Sequence, residues 1–82
     1  MTIRSVKLKY FALIRDLSGK DTEVFSTDAR DVASLYQVIQ EKYQLPYRID
    51  QIKAACNLSY VPTHYQFNDG DEIAFIPPVG GG

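Results

Sequence analysis

Two short segments, one near each end of the chain, have the apolar patterns of β-strands. In RSVKLKYF, the apolar residues Val6, Leu8 and Tyr10 are separated by single polar residues, so this strand is expected to be buried on one face only. In EIAFI, residues 72–76, apolar side chains occupy both faces. A strand that is apolar on both faces is usually central in its sheet or covered by other elements.

Between these strands, one segment has the spacing of an amphipathic helix. Apolar residues recur at intervals of three and four from Val32 to Tyr43, and polar residues dominate the other side. Asp31 directly precedes this stripe, where its carboxylate can accept hydrogen bonds from the free amide groups of the first turn. Pro46 prevents any continuation, so the pattern predicts a single helix at residues 32–43.

Two weaker patterns follow the first strand. The segment ALIRDLSG has near-helical apolar spacing and ends in Gly19, which predicts one short helical turn. The segment DTEVFS predicts a short second strand, in which either Val24 or Phe25 faces inward. The connection between the first two strands is longer than a tight hairpin turn, so their pairing is a hypothesis.

The second half of the chain completes a predicted sheet. IKAACNLSYV indicates two short strands around Asn57 and Leu58, and Asp69-Gly70 indicates a turn before the last strand. The resulting order is strand, strand, helix, strand, strand, strand. A single helix after a strand pair must cross one face of the sheet. The sequence therefore predicts an α+β domain with one main helix packed on a mixed sheet.

Composition fits one small globular domain, since 45% of the 82 residues are apolar and 23% are charged. The net charge of −1 argues against nucleic acid or an anionic membrane surface as a partner. The sequence shows neither a signal-peptide pattern nor an apolar run long enough for a membrane span. Cys56 is the only cysteine, so a disulfide within the chain is excluded. These features favour a reducing, cytoplasmic location.

Residues that often carry chemistry are isolated in this sequence. His64 is the only histidine and has no cysteine pair or second histidine to share a metal with. Cys56 lies between small apolar neighbours, as is typical of a buried structural cysteine. The acidic residues Asp69, Asp71 and Glu72 lack the spacing of a calcium loop and favour a solvated turn. We therefore expect no metal site, no bound cofactor and no self-contained active site.

The C-terminal segment IPPVGGG is unusual for the end of a domain. Pro77 and Pro78 lack amide donors and have a fixed φ, so they end the sheet and favour an extended exit. Gly80, Gly81 and Gly82 have no side chains, so they can pass through a channel too narrow for a Cβ atom. We expect a folded domain at residues 1–76 and a flexible tail at residues 77–82.

Three motifs resemble the small, sulfur-carrying subunit of molybdopterin synthase. They are FALIRDLSG at residues 11–19, AACN at residues 54–57 and DGDEIAFIPPVGGG at residues 69–82. The last motif is the most specific, because DGDEIA and PPV precede the terminal glycines at a fixed distance. A terminal Gly-Gly alone is shared with other ubiquitin-like proteins. The resemblance covers nearly the whole chain and implies a ubiquitin-like β-grasp fold with about five strands.

The resemblance also implies a mechanism in which Gly82 is the reactive residue. An E1-like activating enzyme uses ATP to adenylate the carboxylate of Gly82, and sulfur then replaces the adenylate to give a thiocarboxylate. The tail enters the large subunit of the synthase, which supplies the acids and bases, and the sulfur passes to the cyclic pterin precursor. The implied assembly is a heterotetramer of two carriers and a large-subunit dimer, with neither nucleic acid nor membrane as a partner.

The resemblance further implies a partner-binding surface beside the tail. Phe11, Tyr60 and Ile76 should face the large subunit. Arg15 either pairs with an acidic group on a partner or is a solvated surface arginine. The alternation of the first and last strands also places Phe11 and Ile76 on outward faces. The tail residues that continue this surface are Pro77, Pro78 and Val79.

Three alternatives remain open from the sequence. The chain could carry sulfur for another pathway, such as thiazole or cysteine synthesis, with the same tail chemistry. It could be a ubiquitin-like modifier that attaches Gly82 to lysines of other proteins, since activation would again form an acyl-adenylate. It could also be an interaction domain with an inert tail.

Overall fold

The computed structural model describes residues 2–78, in which five strands and three helical segments follow one another. They are β1 (Arg4–Tyr10), α1 (Ala12–Ser18), β2 (Thr22–Thr27), α2 (Val32–Tyr43), a short 3-10 helix (Ile49–Gln51), β3 (Lys53–Cys56), β4 (Ser59–Val61) and β5 (Glu72–Ile76). The predicted main helix is confirmed. The predicted helical turn after the first strand is longer than expected, because α1 has seven residues.

The strands form one mixed sheet in the order β2-β1-β5-β3-β4. β1 and β5 run parallel, and the other neighbouring strands are antiparallel. The last strand of the sequence is therefore the central strand of the sheet, as its two apolar faces predicted. With α2 crossing from the β1–β2 pair to the later strands, this is the β-grasp arrangement, and the predicted α+β class is confirmed.

The core lies between α2 and one face of the sheet. Alternate residues of β1 and β5 and the apolar stripe of α2 supply it: Val6, Leu8, Tyr10, Val32, Leu35, Tyr36, Ile39, Ile73 and Phe75. The rings of Tyr36 and Phe75 meet edge to face with their centroids 5.3 Å apart. The opposite face of the central strand carries Ala74 and Ile76, which are only half-buried.

The structure confirms the predicted N-cap of α2 and decides which residue of β2 faces inward. The Asp31 carboxylate accepts a hydrogen bond from the amide of Ser34 at 2.8 Å, so Asp31 is the N-cap of α2. In β2 the inward residue is Phe25, which packs against the core, whereas the Val24 side chain is 74% exposed. Phe25 lies opposite Val6 in the β1–β2 ladder, and directly paired residues share one face of a sheet.

The Glu23 carboxylate ties β2 to β1 and α2. It accepts hydrogen bonds from the hydroxyls of Tyr10 at 2.6 Å and Tyr43 at 2.7 Å, and it pairs with the Lys20 ammonium at 3.1 Å. Burial opposes ionisation of Glu23, but the hydrogen bonds from Tyr10, Tyr43 and Lys20 outweigh it and hold the pKa of Glu23 below its usual value. The ionised form of Glu23 is therefore part of the folded state.

Replacing Glu23 by glutamine is expected to destabilise the domain by about 1–2 kcal/mol at neutral pH, because the charge that holds two hydroxyls and Lys20 is lost. A pKa lowered by folding contributes stability above the unfolded pKa and loses it as pH falls through the folded value. The difference between the two proteins should therefore shrink on acidification. Urea titrations at several pH values measure it, with the exposed Glu41→Gln as control. A constant difference across pH would contradict the assignment.

Candidate functional site

A shallow apolar depression of about 230 Å³ lies on the open face of the sheet. Its floor contains Ala74 of β5 and Ala55 of β3, which are paired neighbours in the sheet. Two adjacent small side chains leave space above them that larger residues would fill. Around this floor stand Lys9, Phe11, Leu58, Tyr60, Glu72 and Ile76.

The end of the depression nearest the tail is formed by Phe11 and Ile76. Phe11 is the N-cap residue of α1, and its side chain is exposed because β1 ends at the buried Tyr10 just before it. Ile76 is the last residue of β5, so the chain leaves the sheet directly beside the depression. Pro77 is buried and Pro78 is exposed. Pro78 is therefore the first solvent-facing residue after the sheet.

The β3–β4 hairpin supplies the side wall. Tyr60 lies opposite Ala55 in the ladder, and its side chain is 74% exposed above the floor. Leu58 in the two-residue turn of this hairpin also lines the depression. Leu58 lies between the two short strands that the sequence predicts here, and no role is predicted for it. The sequence feature that could have identified Leu58 is a large apolar residue at the tip of a hairpin, where small or polar residues are usual.

Charged side chains surround the apolar floor. The Lys9 ammonium and the Glu72 carboxylate are 3.4 Å apart at the end of the depression away from the tail. The ladder pairing places Lys7 and Lys53 on the same face, opposite Glu72 and Ile76 respectively. Three lysines and one glutamate give this face a positive balance, although the whole chain carries a net charge of −1. An acidic rim on a partner would complement it.

The structure thus brings together Phe11, Tyr60 and Ile76, the three residues expected to form one surface. Arg15 is not among the residues that line the depression. Its guanidinium Nε lies 3.7 Å from the carboxylate of Asp21, and both side chains are exposed. Such an exposed pair contributes little to stability, which leaves Arg15 able to exchange partners. Val79, Gly80, Gly81 and Gly82 lie outside the described residues.

The contacts of Cys56, Asp69 and Asp71 are of the kind that supports the fold. Burial raises the pKa of the Cys56 thiol, and the nearby Asp71 carboxylate raises it further. Asp71 accepts from the backbone amide of Asn68 at 2.8 Å, which helps to hold its pKa below the usual range. Asp69 accepts from the amide of Ser5 at 2.7 Å, so this turn is fastened to β1. Within residues 2–78, histidine, cysteine and acidic side chains form no cluster able to hold a metal ion.

The architecture and this face define a ubiquitin-like β-grasp protein that presents an apolar surface beside its C-terminal segment. Comparison with known proteins gives the family. The ThiS family model matches residues 8–82, so the chain belongs to the ThiS family. A relative from Escherichia coli, the molybdopterin synthase sulfur carrier subunit, is 34% identical over 80 residues and covers 94% of this chain and 99% of its own.

Solved structures agree with this fold. A protein complex of subunits 1 and 2 of the molybdopterin-converting factor from Helicobacter pylori contains a chain that is 29% identical, with a TM-score of 0.62 over 95% of this chain and 99% of that one. Small archaeal modifier protein 1 from Methanosarcina acetivorans has a TM-score of 0.79 over the full length of both chains. Its identity is 22%, so this likeness concerns the fold alone. None of the helices within residues 2–78 has the length and apolar character that a bilayer crossing needs.

Proposed function

We propose that this protein is the sulfur carrier subunit of a molybdopterin synthase. The observation that carries the proposal is the family match, which extends to residue 82 and so includes the terminal glycines. The 34% identity to a carrier subunit of that name over almost the whole chain supports the same function. The exposed apolar depression beside the end of β5 supports it as well, because a carrier needs a surface on which its partner proteins dock.

The proposed chemistry takes place at the carboxylate of Gly82. An E1-like enzyme transfers AMP from ATP to this carboxylate and releases pyrophosphate, because a free carboxylate is a poor electrophile. A sulfur donor then displaces AMP and leaves a thiocarboxylate. In the large subunit the sulfur passes to the pterin precursor, and hydrolysis returns the carboxylate of Gly82. The proposal places these steps in the reducing cytoplasm.

The depression is proposed to dock the large subunit. Phe11 and Ile76 lie where the chain leaves the sheet. A protein bound over them would therefore lie next to the start of the tail. The chain from Pro77 to Gly82 has six residues and can reach about 20 Å when extended. That reach allows the tail to enter an active site below the partner's surface while the folded domain stays outside. Two carriers on a large-subunit dimer would complete the proposed heterotetramer.

Intact mass spectrometry tests the carrier chemistry. The protein is incubated with ATP, an activating enzyme and a sulfur source, and its mass is measured before and after. We expect a gain equal to the exchange of one oxygen for sulfur, located in the C-terminal peptide. The control omits ATP and should show no change.

Two results would contradict the proposed carrier chemistry. One is an unchanged mass with an activating enzyme that is competent on another carrier. The other is a set of cellular conjugates linked through Gly82 to lysines, in the absence of any thiocarboxylate, which would indicate a protein modifier. A thiocarboxylate whose sulfur reaches another acceptor, and not the pterin precursor, would move the protein to a different pathway.

A further inference from the structure

Leu58 combines two features that do not favour folding. Its side chain is 88% exposed, the largest exposed fraction among the large apolar residues of the described part of the chain. Its backbone has φ of 75°, in the left-handed region that side chains with a Cβ atom adopt at a cost. A two-residue hairpin of this kind favours Asn-Gly, and here the second position is leucine. Neither a favourable backbone conformation nor burial in the core accounts for a leucine at position 58.

The turn that carries Leu58 is held firmly. The amide nitrogen of Asn57 donates to the carbonyl of Glu72 at 2.8 Å, and the side-chain oxygen of Asn57 accepts from the Glu72 amide at 3.0 Å. The Asn57 side-chain nitrogen also donates to Asp71 at 3.1 Å. These bonds join the hairpin tip to the start of β5. Leu58 is therefore presented in a fixed position, which reduces the entropy lost when a partner covers it.

Leu58 lines the same depression as Phe11, Tyr60 and Ile76. It stands at the Glu72 end of the depression, whereas Phe11 and Ile76 stand at the tail end. β5 separates these two ends by about 13 Å, the length of four residue steps in a strand. A partner that covers Phe11, Tyr60 and Ile76 therefore extends over Leu58 if it follows the depression along its length.

We propose that Leu58 is a further contact residue for the large subunit, inserted from the hairpin tip into an apolar site on that partner. The proposal rests on the proposed function, because it takes the same partner and continues the same surface. Leu58 lies at the end of the depression away from Ile76, and the proposal gives it no part in sulfur chemistry. Its contribution is to the affinity and the choice of partner, and the strained backbone persists because binding depends on this side chain.

The test compares stability and binding in the same variants of the full chain. Leu58→Asn replaces the apolar side chain with one that tolerates a left-handed backbone. We expect its melting temperature to be equal or higher by about 2–5 °C, because backbone strain is relieved. Its dissociation constant for the large subunit should rise about tenfold or more, the change expected when one buried leucine is lost. Thermal unfolding and calorimetric titration measure the two quantities.

Two control variants separate this contact from general effects. Leu58→Met keeps an apolar side chain of similar volume and should bind within about threefold of the original protein. Val38→Thr removes an exposed apolar residue from α2, which packs on the other face of the sheet, and should leave binding unchanged.

The outcomes are distinguishable. Binding by Leu58→Asn equal to that of the original chain would overturn the role of Leu58 while leaving the carrier function intact. A marked fall in melting temperature would also overturn it, because Leu58 would then be structural. Failure of the original chain itself to bind the large subunit would overturn the proposed function, and this inference with it.

Discussion

A chain that lacks Gly81 and Gly82 is expected to bind the large subunit and to transfer no sulfur. The depression lies on the folded domain, so the docking surface is unaffected by the deletion. The shortened tail still ends in a carboxylate, but that carboxylate falls short of its former position by about 7 Å. A misplacement much smaller than this is enough to abolish group transfer in an active site. We expect pterin product no higher than in a reaction without carrier.

The deletion is measured in a reconstituted reaction with the large subunit, the activating enzyme, ATP, a sulfur source and the pterin precursor. Binding to the large subunit and the melting temperature serve as controls, and both should stay close to those of the full chain. Normal product formation by the shortened chain would mean that the tail is inert. Loss of binding together with loss of product would mean that the glycines also contribute to docking.

Periodicity predicted the elements because each element buries one face. The stripe from Val32 to Tyr43 and the alternation of Val6, Leu8 and Tyr10 appear in the structure as the core. Such patterns are local, and they report burial directly. They do not report which strands are neighbours, because pairing joins residues far apart in sequence. The inward position of Phe25 followed only from its pairing with Val6.

The two apolar faces of β5 have two separate causes. Ile73 and Phe75 face α2 and are buried because β5 is central. Ala74 and Ile76 face the other way and lie half-buried in the depression. The sequence signal for a central strand was therefore partly a signal for the apolar depression. Hydrophobic pattern alone does not separate these causes, since both place apolar residues in the same strand.

The exposure and the backbone conformation of Leu58 could not be predicted from the sequence. Its exposure and its left-handed backbone depend on the hairpin between β3 and β4, whose turn was predicted only as a position between two strands. The resemblance to a known family supplied Phe11, Tyr60 and Ile76, and it gave no role to the turn residue. The three-dimensional arrangement was needed to place Leu58 in the same depression.

Replacing Tyr60 by aspartate is expected to weaken binding to the large subunit at least about 100-fold, because an unpaired carboxylate would be buried in an apolar contact. Tyr60 is mostly exposed in the free protein and lies in the edge strand β4, so the fold should lose no more than about 1 kcal/mol. Binding measured by calorimetry and stability measured by urea unfolding test the two parts separately.

Two variants control for the added charge and for the lost ring. Gln37→Glu adds a negative charge to an exposed position of α2, on the other side of the sheet, and should leave binding unchanged. Tyr60→Phe keeps the aromatic ring and should bind nearly as well as the original chain, since the ring provides most of the contact area. If Tyr60→Asp binds normally, the partner does not cover this wall of the depression. If Gln37→Glu weakens binding as much as Tyr60→Asp, net charge governs the association, and the apolar surface does not.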